Sequence, residues 1–172
     1  LLRSIDNKYQ KLEVHNLPSV HYDVLSINTG SISSTEGIKI ENSSRCFLVK
    51  PISLLVKNLS KIDQIIKNKK NKIAIIGGGV ASYELAFSLL RRYENNLEIT
   101  ILGKNILKEK NLNKKTKEYL KKISNHLVIK EIQGEVVLIS ETHLTLKNGF
   151  IFECDLSLLS SGADIENWLS KS

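Results

Sequence analysis

The hydrophobic pattern in the central part of the chain alternates between strands and helices. Short apolar runs at residues 73–76, 97–102 and 127–129 predict three buried strands, because each run is brief and rich in β-branched residues. The stretches between them, 80–90 and 111–124, carry apolar residues at helical spacing. Strand, helix, strand, helix and strand in this order predict an α/β fold with a parallel sheet and right-handed crossovers.

The N-terminal part of the chain carries a shorter, strand-like pattern. Alternation at residues 11–14 and an apolar run at 22–27 predict two short strands, the second of them buried. Pro51 then begins a predicted helix whose apolar residues follow helical spacing: Ile52, Leu55, Val56, Leu59, Ile62 and Ile66. A link rich in lysine and asparagine closes this helix.

Towards the C-terminus the pattern becomes that of an antiparallel β-meander. Apolar runs at 135–139, 143–146 and 150–152 predict three strands. Asn148-Gly149 between the last two runs is a strong hairpin signal. A further strand is predicted at 155–160.

Composition and charge exclude several classes of protein. The 172 residues are 41% hydrophobic and 25% charged, which is typical of a globular protein and not of a disordered one. The net charge of +7 comes from lysine, since only four of the 25 basic residues are arginines. Because nucleic-acid readers rely on arginine, we predict no nucleic-acid partner. The chain contains no methionine, which suggests that it begins inside a longer gene product.

The cysteines and histidines indicate neither a disulfide nor a metal site. Cys46 and Cys154 lie far apart and form no CxxC pair, so we expect buried free thiols and a cytoplasmic location. The four histidines are dispersed without ligand spacing, so no metal site is predicted. No GxSxG motif is present, and no residue of this chain is predicted to be catalytic.

The most informative stretch is IAIIGGGVASYELA, in which an apolar strand ends in three glycines and a helix begins at once. Gly77 suits a tight turn, and Gly79 lets the backbone approach a pyrophosphate closely, with Gly78 between them. The helix N-terminus, with Val80 and Ala81, directs N–H groups towards the phosphates. Ser82 takes the third glycine position of the GxGxxG fingerprint and is small enough for close packing. The stretch predicts a Rossmann-like dinucleotide-binding turn; the alternative is a tight turn without a ligand.

The end of the second strand bears on the choice of dinucleotide. An acid there would accept a hydrogen bond from the adenosine ribose, but Leu102 is followed by Gly103 and Lys104, and the next acid is Glu109. Lys104 could meet a 2′-phosphate, which would favour NADPH, or it could be a solvated loop residue. The choice between NADH and NADPH remains open.

Four stretches carry a resemblance to a known family. They are HYDVLSINTGS, VKPISLLVKNL, IIGGGVASYELA and LTLKNGFIFECDLSLLSSGADIENWL, in this order. Together they resemble the pyridine nucleotide-disulfide oxidoreductase superfamily, specifically its NADH dehydrogenase-like flavoproteins. The second stretch is also similar to members fused to selenide water dikinase.

The resemblance implies an NAD(P)H domain inserted in an FAD domain, with hydride passing from nicotinamide to flavin. It assigns residues 1–50 to part of the FAD domain, 51–71 to a connecting helix and linker, 72–154 to the Rossmann-like NAD(P)H domain, and 155–172 to a strand returning to the FAD domain. The FAD fingerprint and the CxxxxC redox pair of the family are not in the sequence. We therefore expect a nucleotide-binding core that is inactive without the rest of the FAD domain.

The resemblance also singles out Glu84 and Gly162. Glu84 matches a glutamate near the nicotinamide and flavin rings, although the helix dipole alone favours a glutamate there. Gly162 matches a glycine turn beside the nicotinamide, the alternative being an ordinary strand-end turn. The predicted cofactor-binding residues are Gly77, Gly78, Gly79, Val80, Ala81, Ser82, Glu84, Gly103, Lys104 and Gly162.

Two questions stay open at the level of sequence. The alternative function is a non-catalytic dinucleotide sensor or an interaction module. The electron acceptor, a quinone or a small soluble molecule, is undetermined. The lysine-rich face of 111–124 is interpreted as a solvated surface, with a peripheral membrane or partner contact as the alternative.

Overall fold

The computed structural model describes residues 2–41, 44–66, 70–94, 96–108 and 112–164. The chain divides into two compact units, one formed by Leu1–Ile32 with Ala163–Ser172 and the other by Ser33–Gly162. Glu109, the next acid along the chain after the second predicted strand, and the C-terminal part of the predicted return segment, from residue 165, lie outside the described residues.

The first unit contains a three-stranded antiparallel sheet. Its strands are β1 (Leu2–Asp6), β2 (Lys11–Val14) and β3 (Val20–His21), in the order β1-β2-β3. Strand β2 confirms the alternation at 11–14. The prediction of a buried strand at 22–27 is wrong: no strand forms there, and Val24 is 88% exposed. An apolar run becomes a strand only where a second strand is in place to pair with its backbone, and no described strand pairs with this one.

The second unit contains nine strands and three helices among the described residues. In chain order they are β4 (Lys39–Ile40), β5 (Cys46–Leu48), α1 (Ile52–Ile66), β6 (Asn71–Ile76), α2 (Val80–Tyr93), β7 (Leu97–Gly103), α3 (Lys114–His126), β8 (Lys130–Gln133), β9 (Val136–Ile139), β10 (His143–Leu146), β11 (Ile151–Glu153) and β12 (Leu156–Leu159). None of the described helices is long and apolar enough to cross a membrane.

Two sheets organise this unit. The first is parallel throughout, with five strands in the order β5-β12-β6-β7-β8. The second has the order β11-β10-β9-β4; its first three strands are antiparallel and β4 runs parallel to β9. The predicted α/β fold with a Rossmann-like parallel sheet and an antiparallel meander is confirmed.

The alternation of side chains along β6 explains why both faces of the parallel sheet are covered. Ile73 and Ile75 pack in one buried cluster with side chains of all three helices. Ala74 and Ile76 point the other way, into a second cluster with side chains of β9 and β10. A strand with period 2 that is apolar at every position is buried on both faces, so the helices, the parallel sheet and the meander form three layers.

The strand after α3 begins later than its apolar run predicts. Leu127 and Val128 belong to the turn that ends α3: the Leu127 N–H donates to the Ile123 carbonyl (2.9 Å), and Val128 is at φ 56° and 76% exposed. Pairing with β7 starts only where Lys130 lies opposite Thr100. The prediction of a strand at 127–129 is therefore wrong. The strand that forms after α3, β8, is an edge strand with polar residues at most positions, and it is largely exposed.

The apolar residues at helical spacing in α2 pack against the core as predicted: Val80, Leu85, Ala86, Leu89 and Leu90. Ala81 is exposed, whereas Ser82, Tyr83, Ala86 and Leu89 are buried. Tyr83 is fully buried, and its hydroxyl donates to Glu131 Oε1 on β8 (2.5 Å). This partner satisfies the phenol inside the core, which is what allows a tyrosine to occupy a core position.

Strands β5 and β12 complete the parallel sheet from outside the predicted nucleotide-binding segment. Residues 156–159, assigned by sequence to the return into an FAD domain, lie between β5 and β6, with Leu156 opposite Ile73 and Leu159 opposite Ile76. The unit Ser33–Gly162 thus includes the segments around residues 50 and 155. Leu158 and Leu159 are fully buried.

Candidate functional site

The turn between β6 and α2 depends on a glycine at position 77. Gly77 has φ 144°, a conformation that side chains rarely adopt. A Cβ there would lie 2.7 Å from the Ser160 carbonyl oxygen and 2.9 Å from Ser82 Oγ. The Gly77 N–H donates to the Leu102 carbonyl (2.7 Å), which ties the turn to the end of β7.

Gly78 and Gly103 allow the ends of β6 and β7 to approach each other. A Cβ on Gly78 would lie 2.5 Å from the Asn105 carbonyl oxygen, and one on Gly103 would lie 2.8 Å from the Gly78 nitrogen. The Leu107 N–H donates to the Gly78 carbonyl (2.7 Å). Both glycines are therefore required for backbone packing around the turn.

Helix α2 begins at this turn without a side-chain cap. Its N-cap is Gly79, at φ −87° and ψ 173°, and no described side chain accepts a hydrogen bond there. In α3, by contrast, Asn113 Oδ1 accepts from the Thr116 N–H (2.8 Å). The uncapped N-terminus of this helix is the positive end of the helix dipole, so it is suited to bind an anionic group.

Two buried hydroxyl groups flank Gly77 and lack a partner among the described residues. Ser82 Oγ is fully buried in the first turn of α2, and Ser160 Oγ lies at the end of β12. A buried hydroxyl without a hydrogen bond is costly, and both oxygens are shielded from solvent.

A cavity of about 270 Å³ opens at the carboxyl ends of β6 and β7. It brings together five of the predicted site residues: Gly77, Gly78, Gly103, Lys104 and Gly162. Its other walls are Glu36, Ile38, Ile76, Leu102, Asn105, Gly134, Glu135, Val136 and Ser161. In open α/β sheets, ligands bind outside the carboxyl ends of the strands.

A larger cavity, about 530 Å³, lies elsewhere in the unit. It is lined by the opposite ends of the same strands, at Lys72 and Glu98, and by residues of β11 such as Phe152. Because this end of a parallel sheet does not present the strand-to-helix turns, we take the cavity at the carboxyl ends of the strands as the candidate site.

The other five predicted site residues do not line the cavity, and the first of them, Gly79, is the N-cap of α2. Val80, Ala81 and Ser82 form the first turn of α2, directly after the glycines, and Glu84 is exposed further along the helix. The Glu84 carbonyl accepts from Ser88 Oγ (2.7 Å).

Gly162 adopts φ 42°, and its carbonyl accepts from Lys50 Nζ (3.1 Å). The neighbouring Ser161 Oγ donates to the Ser34 carbonyl (2.7 Å). The segment after β12 is thus held in place beside the glycine turn.

Sequence reasoning missed Glu135. Its Oε2 lies 3.5 Å from Lys104 Nζ and also 3.5 Å from Lys147 Nζ. The charge of Lys104, followed by that of Lys147, lowers the pKa of this carboxyl. Nothing in the linear sequence connects these positions, because they meet only when the β8–β9 and β10–β11 connections fold beside the end of β7.

The model of the pyridine nucleotide-disulphide oxidoreductase family matches residues 2–171 of the chain. The chain belongs to this family. None of the curated proteins matches it.

Solved structures share the fold of this family member at low sequence identity. An FAD-dependent pyridine nucleotide-disulphide oxidoreductase from Desulfovibrio vulgaris has a TM-score of 0.59 and 16% identity over 94% of the chain. The reduced CoADR-RHD of Bacillus anthracis has a TM-score of 0.63 and 20% identity over 99% of it. Fdr9 has a TM-score of 0.69 and 19% identity over 98% of it. The chain spans 42%, 31% and 40% of these three structures, respectively.

The cysteines of this oxidoreductase family member do not form a disulfide. Both are free; Cys154 is buried and Cys46 partly so. Burial raises the pKa of Cys154 to about 12 and raises that of Cys46 as well. Thiols held in the protonated form are poor nucleophiles. The described residues contain no group of three histidine, cysteine or acidic side chains able to hold a metal ion.

Proposed function

We propose that this chain binds a nicotinamide dinucleotide and forms the NAD(P)H-binding part of an FAD-dependent oxidoreductase. The observation that carries the proposal is the β6–α2 turn, where Gly77 and Gly78 have no room for a Cβ and the turn borders a cavity at the carboxyl strand ends. This is the position at which dinucleotide-binding folds hold a pyrophosphate.

The residues present fit such a ligand. In this proposal the pyrophosphate lies at Gly77–Gly79 and the N-terminus of α2, where no described side chain caps the helix. The adenosine ribose lies at Gly103 and Lys104, where the cavity follows the end of β7.

When bound, NAD(P)H would supply a hydride and FAD would accept it. The role of this chain is to bind and orient the dinucleotide, whose phosphates accept hydrogen bonds from backbone N–H groups. We place Gly162 on the nicotinamide side, since it lines the cavity across from Lys104 in the β12 segment. A contact between Glu84 and the nicotinamide is the weaker part of the proposal, because Glu84 is exposed and does not line the cavity.

At the level of the whole protein, we propose that the NAD(P)H-binding segment is inserted between parts of an FAD domain. The support is the family membership, together with solved relatives of more than twice the length of this chain. The remainder of that FAD domain would then be the principal protein partner.

The proposal is tested by isothermal titration of the purified chain with NADH and with NADPH at low salt. We expect at least one of them to bind with a dissociation constant below millimolar. Failure of both to bind in that range would contradict the assignment of the glycine turn as a nucleotide site.

A further inference from the structure

We infer that Glu135 makes the cavity select a dinucleotide without a 2′-phosphate, NADH over NADPH. This inference rests on the proposed function, since it concerns the adenosine end of the same ligand. The end of β7 carries Gly103 and Lys104, which on their own would favour a phosphate. The fold places an acid, Glu135 of the β8–β9 connection, beside Lys104.

Backbone hydrogen bonds on both sides hold Glu135 at the end of β7. The Gly134 N–H donates to the Gly103 carbonyl (3.1 Å), and the Lys147 N–H donates to the Glu135 carbonyl (2.8 Å). Gly134 itself is packed tightly, because a Cβ there would lie 2.7 Å from Leu146 Cδ1. The carboxylate therefore stands where dinucleotide-binding folds place the adenosine ribose.

Lys104 is already paired at this position. Its Nζ lies 3.5 Å from Glu135 Oε2, and Lys147 Nζ lies at the same distance from the same oxygen. A 2′-phosphate that reached Lys104 would have to displace a carboxylate whose backbone is fixed nearby. Among the described charged residues that line the cavity, two are acids, Glu36 and Glu135, and one is a base, Lys104.

A ribose with a free 2′-hydroxyl meets none of this repulsion. Its hydroxyl can donate a charge-assisted hydrogen bond to Glu135. At neutral pH a 2′-phosphate is mostly dianionic, so it repels the carboxylate and seldom has a proton to donate. At contact distance, the difference in interaction energy with Glu135 between a 2′-hydroxyl and a 2′-phosphate amounts to about tenfold or more in dissociation constant, even in a solvated site.

The test compares two ligands that lack the nicotinamide, ADP-ribose and 2′-phospho-ADP-ribose, by titration of the purified chain at low salt. We expect ADP-ribose to bind at least about tenfold tighter. In Glu135→Gln, ADP-ribose should weaken and the phosphorylated ligand should strengthen, because both lysines lose their partner. A gain for one ligand with a loss for the other does not arise from a damaged fold.

Two further variants serve as controls. Glu118→Gln makes the same charge change on α3, where Glu118 lies 3.8 Å from Lys114 and outside the cavity, so the ratio of the two affinities should not change. Glu135→Asp keeps a carboxylate and should keep the preference for ADP-ribose.

Each other outcome overturns the inference in a recognisable way. Equal affinities in the wild type, or an unchanged ratio in Glu135→Gln, would reject Glu135 as the selecting residue and leave nucleotide binding intact. A wild-type preference for the phosphorylated ligand that Lys104→Gln abolishes would make Lys104 the selecting residue instead. If ADP-ribose, 2′-phospho-ADP-ribose, NADH and NADPH all fail to bind, the proposed function is wrong and the inference fails with it.

Discussion

Replacing Gly77 by alanine should destabilise the fold more than any comparable change in the glycine turn. Two effects act together at this position. The backbone is at φ 144°, and the added Cβ would lie 2.7 Å from the Ser160 carbonyl oxygen. The obstructing atoms are backbone atoms at the end of β12, a central strand of the sheet, which cannot move aside as a flexible side chain does.

The magnitude follows from these two terms. Holding a residue with a side chain in such a backbone region costs about 1–3 kcal/mol. Forcing a methyl group into a filled space costs a further 1–3 kcal/mol or so. A total of about 4 kcal/mol would lower the melting temperature by roughly 8–16 °C in a chain of this length.

Two other glycines separate the terms in the same compact unit. Gly37 has φ 73° but no heavy atom within 4 Å of the Cβ position, so Gly37→Ala carries only the backbone term. Gly78 has an ordinary φ but would place its Cβ 2.5 Å from the Asn105 carbonyl, so Gly78→Ala carries only the packing term. Urea unfolding of the three variants, followed by circular dichroism, measures each loss in the free energy of unfolding.

The expected order is Gly77→Ala as the largest loss, with each of the other two well below it. A Gly77→Ala loss no greater than that of Gly37→Ala would refute the collision with β12. A Gly78→Ala variant as stable as the wild type would show that the Asn105 backbone moves to accommodate the added Cβ. A collision with the Ser160 backbone would then no longer be a sufficient reason to expect a loss in Gly77→Ala.

Further predictions concern Gly79, Tyr83 and Cys154. Gly79→Val should lose dinucleotide affinity by at least about tenfold while the melting temperature changes by only a few degrees, because φ −87° and ψ 173° suit valine; unchanged affinity in the folded variant would remove the pyrophosphate from this turn. Tyr83→Phe should cost about 1–2 kcal/mol in urea unfolding, because it leaves Glu131 without its buried donor. Burial and Glu131 raise the pKa of Tyr83, so wild-type stability should fall above pH 10, where only the unfolded phenol loses its proton; a Tyr83→Phe variant with the same slope would contradict this. Burial raises the pKa of Cys154 to about 12, so iodoacetamide at pH 8 should label it far more slowly in the folded chain than in urea, and equal rates would contradict the buried position.

Much of the central architecture could be predicted from local pattern. The strands β6 and β7, the three helices and the meander follow from the period of the apolar residues, since each such element buries one stripe or one face of its own side chains. The glycine turn follows as well, because three consecutive glycines between a strand and a helix leave few other structures. The family resemblance built on these stretches is confirmed at the level of the superfamily. Its narrower likeness to NADH dehydrogenase-like flavoproteins stays a prediction.

The elements that were wrong are those that depend on a distant partner. The run at 22–27 is apolar enough for a strand, but no described strand pairs with it. β8 begins three residues later than its apolar run, because its pairing with β7 starts at Lys130. The sequence analysis assigned no position to Tyr83, whose hydroxyl donates to Glu131 on a different strand.

The sequence by itself determined where the glycine turn lies, because the strand, glycine and helix signals are neighbours along the chain. Only the tertiary structure decided what surrounds that turn. The insertion of β12 between β5 and β6 places Ser160 against Gly77, and the packing of the meander places Glu135 against Lys104. Both contacts join residues far apart in sequence. Such contacts form because strands that are distant in sequence pair with each other and bring charged residues together. This pairing leaves no periodic signal in the chain.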